Sequence, residues 1–334
     1  MGAFDGNLPF GLIPSQNLWP EQLAIERADT TKEEFSVDAA KQGAEIPPVE
    51  LSAELAAKRD ALLALLRSFG SCVVAFSGGL DSTVLAKAAQ VALGERAIAA
   101  TGTSASMAAG ELEACQELAR QIGIRHEIFS TAELEDPQYR QNPPDRCYYC
   151  KSDLFERLWD LAQKWQVAVV CDGANRDDLA DYRPGSLAAR QKQVRSPLAE
   201  VGLTKAELRQ LAAWWQLPVW NKPATPCLAS RIAYGEQITP ERLEMIDQAE
   251  RFLRSLGFEP VRVRYHRGDL ARIEVPRSDL DRFLDPHLRY QVAERLKQLG
   301  FKFVSVDLEG FRSGSLNVLV TGGSAASSGP EAHR

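Results

Sequence analysis

The stretch VVAFSGGLDSTVLAKAAQVAL, residues 73–93, decides the fold. Val73 to Phe76 is a short apolar run, β-branched at its start, with the composition of a buried parallel strand. From Thr83 to Leu93, Val, Leu and Ala recur at helical spacing without Gly or Pro. Between them Ser77-Gly78-Gly79-Leu80-Asp81-Ser82 turns strand into helix with no spacer. Two glycines let the backbone turn sharply and bring its N–H groups close to an anion, and the helix N-terminus adds partial positive charge. Ser77 and Ser82 are hydroxyl donors for phosphate oxygens. Asp81 would repel a naked phosphate, so its place makes sense if it holds Mg²⁺ bound to that phosphate. The plainer alternative is a serine-glycine turn with Asp81 as a helix cap. The loop lacks the Gly-Lys-Ser/Thr ending of a Walker-type phosphate loop.

Working outward, helices and short apolar strands alternate. Residues 51–69 read as an amphipathic helix closed by Gly70, RAIAAT as a strand, 108–122 as a helix closed by Gly123, and HEIFS as a strand. A helix over 147–165, the strand VAVVC and the helix LTKAELRQLAAWW follow, the last with Thr204 and Glu207 spaced as a capping box. Parallel strands need crossover helices, so the alternation predicts an α/β fold with a doubly wound parallel sheet and ligands at the carboxyl ends of its strands. From about Gly235 the order changes to helix 240–256, strands 261–266 and 270–275, helix 286–299 and strand 301–308, an α+β pattern. The expected organisation is an N-terminal extension over 1–48, the α/β domain over 49–235, a smaller α+β domain over 236–321 and a low-complexity tail over 322–334.

With 334 residues and 45% apolar content, the chain has room for two modest packed domains. No segment reaches the roughly 18 consecutive apolar residues of a membrane helix, and MGAFDGNLPFGLIPS lacks the basic-then-apolar order of a signal peptide. A soluble, cytoplasmic protein is expected. A formal charge of -6 argues against a general nucleic-acid binder, which carries a net basic face, and leaves room for a small anion met by local arginines.

Six cysteines without a secretory signal point to metal or redox chemistry rather than a disulfide scaffold. Cys72 and Cys171 sit in apolar strands and Cys115 on the apolar stripe of a helix, so these three read as core. Cys147 and Cys150, in RCYYCKSDLF, open a helix at i, i+3 spacing and share a face. Cys227 stands in ATPCLASRI. Structural zinc wants four ligands, and no fourth cysteine or nearby histidine is offered by His126, His266, His287 or His333. A thioredoxin-like pair accounts for Cys147 and Cys150 but not Cys227. Three thiolates suit a [4Fe-4S] cluster with one iron open to a non-protein ligand such as sulfide. Three unrelated cysteines is the remaining alternative.

The loop at 77–82 resembles the pyrophosphate loop of the ATP pyrophosphatase superfamily, which implies cleavage of ATP between its α- and β-phosphates and transfer of AMP to a substrate. Together with CDGANRDDLADYRPGSLAA and NKPATPCLASRIAYGE, it looks like the LarE-type ATP-dependent sulfur transferases, over about residues 50–310. That resemblance implies a substrate, pyridinium-3,5-biscarboxylic acid mononucleotide or its half-thiolated form, adenylated on a carboxylate and then converted to a thiocarboxylate. One class of the family sacrifices the sulfur of the cysteine matching Cys227. A second class holds an iron–sulfur cluster through three cysteines, which match Cys147, Cys150 and Cys227. The resemblance also implies homo-oligomers, often hexamers.

On this basis Ser77, Gly78, Gly79, Asp81 and Ser82 are expected to bind ATP with Mg²⁺, and Cys227, Asp81 and Asp178 to act in catalysis. Asp178 belongs to an acidic run with Asp177 and Asp181 after a strand end, where a solvated loop is the alternative reading. Ser230, Arg231, Arg262 and Arg264 are expected at the substrate phosphate, the last two sharing a strand face. Glu250, Glu274 and Asp281 are expected as an acidic metal site, with surface charge as the alternative. The sulfide donor is not legible. A tRNA-thiolating enzyme with the same loop is the competing reading, and the acidic chain shows no basic face for it. A non-catalytic iron–sulfur or nucleotide-sensing module is the competing reading from another class.

Overall fold

The computed structural model describes residues 46, 48–179, 184–223, 225–312 and 314–319. Both expected tails fall almost wholly outside these residues, as does Asp181.

Helix α1 (Ala53–Ser68) opens on Ser52, whose hydroxyl accepts from Leu55 N at 3.2 Å. There follow β1 (Cys72–Ala75), α2 (Leu80–Leu93), β2 (Ala97–Thr103), α3 (Glu111–Ile122), β3 (Arg125–Ser130), α4 (Pro137–Arg140), α5 (Arg146–Lys164) and β4 (Val169–Cys171). Then come α6 (Pro184–Gln191), α7 (Pro197–Glu200) and α8 (Lys205–Trp214), the last closed at its start by the reciprocal Thr204–Glu207 capping box. The four strands form a wholly parallel sheet in the order β3-β2-β1-β4. The chain steps outward from β1 to β3, then crosses back to lay β4 on the other side of β1. The direction of winding therefore reverses between β1 and β4, where such sheets bind ligands.

Helices cover both faces, which is why β1, β4 and the first half of β2 are continuously apolar, whereas β3, at an edge of the sheet, carries Arg125, His126 and Glu127 and is partly exposed. Cys72 and Val74 point into a core built with Leu62 and Leu66 of α1, Val84 of α2, Leu118 of α3 and Leu211 of α8. Val73, of opposite direction in the pleat, packs with Phe155 and Leu158 of α5 and Ala188 of α6. Cys72, Cys115 and Cys171 are each fully buried, as their apolar contexts predict.

The rest of the chain builds a second sheet. Helix α9 (Pro240–Ser255), capped by Thr239, precedes β5 (Arg262–His266), β6 (Leu270–Glu274), α10 (Pro286–Gln298) and β7 (Phe303–Val306). β5 and β6 form an antiparallel hairpin, and β7, reached through α10, pairs parallel to β6. Leu243, Ile246 and Leu253 of α9 pack on Val263, Tyr265 and Ile273, with Phe258 stacked on Phe283 at 5.0 Å. Leu228, directly after Cys227, belongs to this second core, yet its amide bonds to Ser106 O beyond β2 at 2.9 Å. Cys227 thus stands where the two cores meet.

Helices α4, α6 and α7 were not legible in the sequence. α4 and α7 have four residues each, too few to show a 3.6-residue period, and α6 starts on a Pro-Gly pair that reads as a turn.

Candidate active site

The loop leaving β1 is shaped by two close approaches. Gly78 takes φ +65°, and a Cβ there would lie 2.9 Å from Cys115 Sγ beneath it. Glycine alone meets both demands. Across the switch point Gly173, just past β4, rests on the loop so closely that a Cβ would stand 3.0 Å from Ser82 N. Ser77 N donates to Ser82 Oγ at 3.2 Å, and Ser82 Oγ donates to Gly79 O at 3.2 Å. The two serine hydroxyls lie 3.2 Å apart. Gly79 is the cap of α2, so the first-turn N–H groups of the helix have no helical acceptor and are available to an anion.

Above the loop opens a cavity of about 760 Å³, lined by Ser77, Gly79, Asp81 and Ser82 and also by Cys147 and Pro226. Asp81 accepts from Asn175 Nδ2 at 3.1 Å and forms an ion pair with Lys205 Nζ. A cation therefore already neutralises the carboxylate on which Mg²⁺ is expected, and the donor chemistry fits a hard divalent ion arriving with phosphate. Asp178 lines the same cavity and accepts from Asn175 N at 3.0 Å. Asp177 instead turns away to accept from Lys205 N at 2.8 Å. Asp172, at the end of β4, also lines the cavity. Burial raises its pKa, opposed by a 2.7 Å hydrogen bond donated by Ser196. Lys151 adds a cation to the lining. Sequence reading missed Lys151, Asp172, Gly173, Asn175 and Lys205. Their roles arise from contacts across the switch point, and only the position of Asp172 and Gly173 at a strand's carboxyl end pointed to them.

Cys147 and Cys227 are exposed and Cys150 is half-buried; none forms a disulfide. Burial first, then the neighbouring Cys227 and Glu133, pushes the Cys150 thiol up to about 12. Cys147 acts on it in the same direction and Lys151 in the other. Burial, followed by Cys227, also raises the Tyr139 phenol, whose oxygen lies 2.9 Å from Ser106 Oγ. Cys150 thus stands in the field of both Cys147 and Cys227, and of the three Cys147 lines the cavity, with Pro226 beside Cys227. Among the described residues, no three His, Cys, Asp or Glu side chains are placed to hold a metal ion. By type alone, three thiols without a fourth ligand are a donor set that suits a multi-iron cluster rather than a single structural zinc; their placement here does not itself form a metal site.

Arg231, fully buried, is turned entirely to protein. Its Nε and Nη2 donate to Glu250 at 3.0 and 3.2 Å, and its Nη1 donates to Pro226 O and, at 2.9 Å, to Cys227 O. Ser230 Oγ donates to Cys227 O at 2.7 Å. Arg231 and Ser230 therefore fasten the backbone of the Cys227 segment. Arg264 Nε and Nη2 both donate to Glu274 Oε2, at 3.0 and 2.8 Å, and its Nη1 donates to Ser230 O at 3.2 Å. Arg262, 9% exposed, lies 5.4 Å over the Phe311 ring and donates to Val261 O at 2.9 Å. Among the described residues no carboxylate pairs with it, and burial, then Arg231, lowers its pKa to about 10. Glu250, Glu274 and Asp281 do not converge: Glu250 is held by Arg231 and Arg254, Glu274 by Arg264 and Arg272, and Asp281 is exposed. Opposite charges supplied by the second sheet and its neighbours occupy the carboxylates that sequence reading reserved for a metal.

No protein-family model matches the chain. It is 38% identical over 270 residues to the pyridinium-3,5-bisthiocarboxylic acid mononucleotide synthase of Lactiplantibacillus plantarum, covering 80% of this chain and 97% of that one. The chain belongs to the LarE-type sulfur transferase family. It is also 46% identical over 249 residues to an uncharacterised protein of Synechocystis sp., covering 75% and 92% of the two chains. A glutamine-hydrolysing GMP synthase chain of Archaeoglobus fulgidus is 27% identical over 205 residues, 55% of this chain and 64% of that one. This LarE-type chain is thus an enzyme of the ATP pyrophosphatase superfamily. No helix among its described residues is long and apolar enough to cross a membrane.

Proposed function

We propose that this enzyme adenylates a carboxylate of pyridinium-3,5-biscarboxylic acid mononucleotide with ATP and replaces its hydroxyl oxygen by sulfur delivered at Cys147, Cys150 and Cys227. The observation that carries the reading is that the phosphate loop and the cysteine region border one cavity. Ser77, Gly78, Gly79 and Ser82 receive the phosphates through hydroxyls and backbone amides, and Asp81 and Asp178 hold the hydrated Mg²⁺ that accompanies them. The substrate carboxylate oxygen attacks the α-phosphorus, the bond to the β-phosphate oxygen breaks, and pyrophosphate leaves. Sulfur then attacks the acyl carbon and AMP leaves with the electron pair of the broken C–O bond. A [4Fe-4S] cluster on three thiolates would supply that sulfur as sulfide on its open iron. Arg231 and Ser230 keep the Cys227 backbone at the cavity, Arg262 offers the phosphate of the substrate a cation that no described carboxylate pairs with, and Lys151 adds positive potential beside the reacting carboxylate. Positioning and charge neutralisation account for the rate on this reading.

A second reading keeps the substrate and changes the donor: Cys227, exposed at the cap of a tight turn, gives its own sulfur and becomes dehydroalanine. One experiment separates them. Anaerobically purified enzyme is given ATP, Mg²⁺ and the dicarboxylate nucleotide; pyrophosphate release is followed, the product and the protein are weighed by mass spectrometry, and iron is assayed. Thiocarboxylate formation with iron present and an unchanged protein mass supports the cluster. A protein mass lowered by the elements of H₂S, without iron, supports sacrifice. No substrate-dependent pyrophosphate release sinks both. A homo-oligomeric state and a cytoplasmic location accompany this reading.

A further inference from the structure

We propose that Lys222 is a positioning residue of the nucleotide site, holding the Gly78–Gly79 peptide with its N–H turned toward the place of the phosphate. The inference rests on the ATP-dependent reading above. Lys222 Nζ donates to Gly78 O at 3.3 Å, from 144 residues downstream, and pairs with Glu111 of α3 at 3.5 Å. In a planar trans peptide the C=O and the following N–H point in opposite directions. A lysine that fixes the Gly78 carbonyl on one side of the loop therefore fixes the Gly79 N–H on the other, and Gly79 lines the cavity. The need for such a clamp follows from Gly78 itself. Its left-handed φ of +65° is one of several wells open to glycine, and Cys115 bars a side chain that would narrow the choice. The ammonium also adds positive potential beside an anion site at the start of α2.

The geometry gives the clamp a second consequence. Lys222 opens the segment that carries Cys227, and the far end of that segment is fastened by Arg231 to Glu250 and to the carbonyls of Pro226 and Cys227. The sulfur-bearing stretch is anchored on the phosphate loop at one end and on the second core at the other.

The test measures binding of Mg²⁺ with α,β-methylene-ATP, which cannot release pyrophosphate, by calorimetry on the full chain. Lys222→Met is expected to weaken binding at least about tenfold, the loss of one charged hydrogen bond with its orienting effect. Lys222→Arg is expected to restore most of it, and Glu111→Gln, which breaks only the ion pair to α3, to leave binding within about twofold. Melting of the nucleotide-free variants should stay close to wild type, while the nucleotide-induced rise in Tm is reduced in Lys222→Met alone. Unchanged nucleotide affinity in Lys222→Met overturns the proposal, as does an equal loss in Glu111→Gln, which would make Lys222 a strut between elements. Failure of the wild-type chain to bind nucleotide would bring down the adenylation reading as well, so the two failures are distinguishable.

Discussion

At the scale of single residues, Cys150 differs from the cysteines beside it. It is half-buried, and burial with two neighbouring sulfurs and Glu133 pushes its thiol up to about 12. Only the thiolate reacts with alkylating agents, so below that value its fraction rises tenfold with each unit of pH. In metal-free protein, labelling of Cys150 by iodoacetamide is expected to climb about tenfold per unit between pH ~8 and ~11, with no plateau near the ordinary thiol range. Peptide mass spectrometry of timed samples checks this, and a plateau by pH ~9 would contradict it. The same shift has a sign for stability: the folded value is raised, so its contribution is present below the unfolded thiol pKa and is lost as pH rises from there toward 12. The phosphate loop and the Cys147–Cys150 pair could be picked out by local spacing, whereas Cys227 was joined to them through the family resemblance. Lys205 on Asp81, Lys222 on Gly78 O and Arg231 on Cys227 O were not legible, because each of the first two joins positions far apart in the chain and the third depends on a turn that only the fold closes.

Among the elements, the join of β1 to α2 is the proposed nucleotide site, and glycines there are not equivalent to glycines elsewhere. Gly78 has both a left-handed φ and Cys115 beneath it, whereas a Cβ added at Gly70, φ +76°, would meet nothing within 4 Å. Gly70→Ala is expected to cost about 1 kcal/mol through its backbone alone and to leave nucleotide binding unchanged. Gly78→Ala adds a clash that must move the loop or α3, and is expected to abolish measurable nucleotide binding at a stability cost of about 2–4 kcal/mol. Thermal melts and calorimetric titration separate the two effects; a Gly78→Ala protein that binds nucleotide normally would show that the loop geometry is not needed. The long elements were legible because buried parallel strands are short apolar runs between amphipathic helices. The short helices α4, α6 and α7 were not, since their existence depends on what they pack against rather than on their own period.

For the whole molecule, the phosphate loop belongs to the first core, whereas Leu228, next to the sulfur-bearing Cys227, belongs to the second. The ion pair of Arg231 with Glu250 holds that junction: both side chains are fully buried, and Glu250 Oε1 also accepts from Val263 N of β5 at 3.1 Å. Removing Glu250 leaves Arg231 as a buried charge without a carboxylate, which costs far more than the net worth of the pair, whereas removing Arg231 leaves Glu250 with Arg254 at 2.8 Å. Glu250→Met is therefore expected to destabilise the fold by about 3–5 kcal/mol, and Arg231→Met by less, because Glu250 keeps Arg254. The double replacement by two methionines leaves no buried charge of this pair, and should recover much of the loss, to within about 2 kcal/mol of wild type. Urea unfolding of the four proteins measures this cycle. If the double variant unfolds as early as either single one, the pair acts through its hydrogen bonds to the Pro226 and Cys227 carbonyls rather than through charge. Recovered stability without recovered sulfur transfer would mean that the chain keeps Arg231, at the expense of an apolar alternative, to hold Cys227 against the cavity.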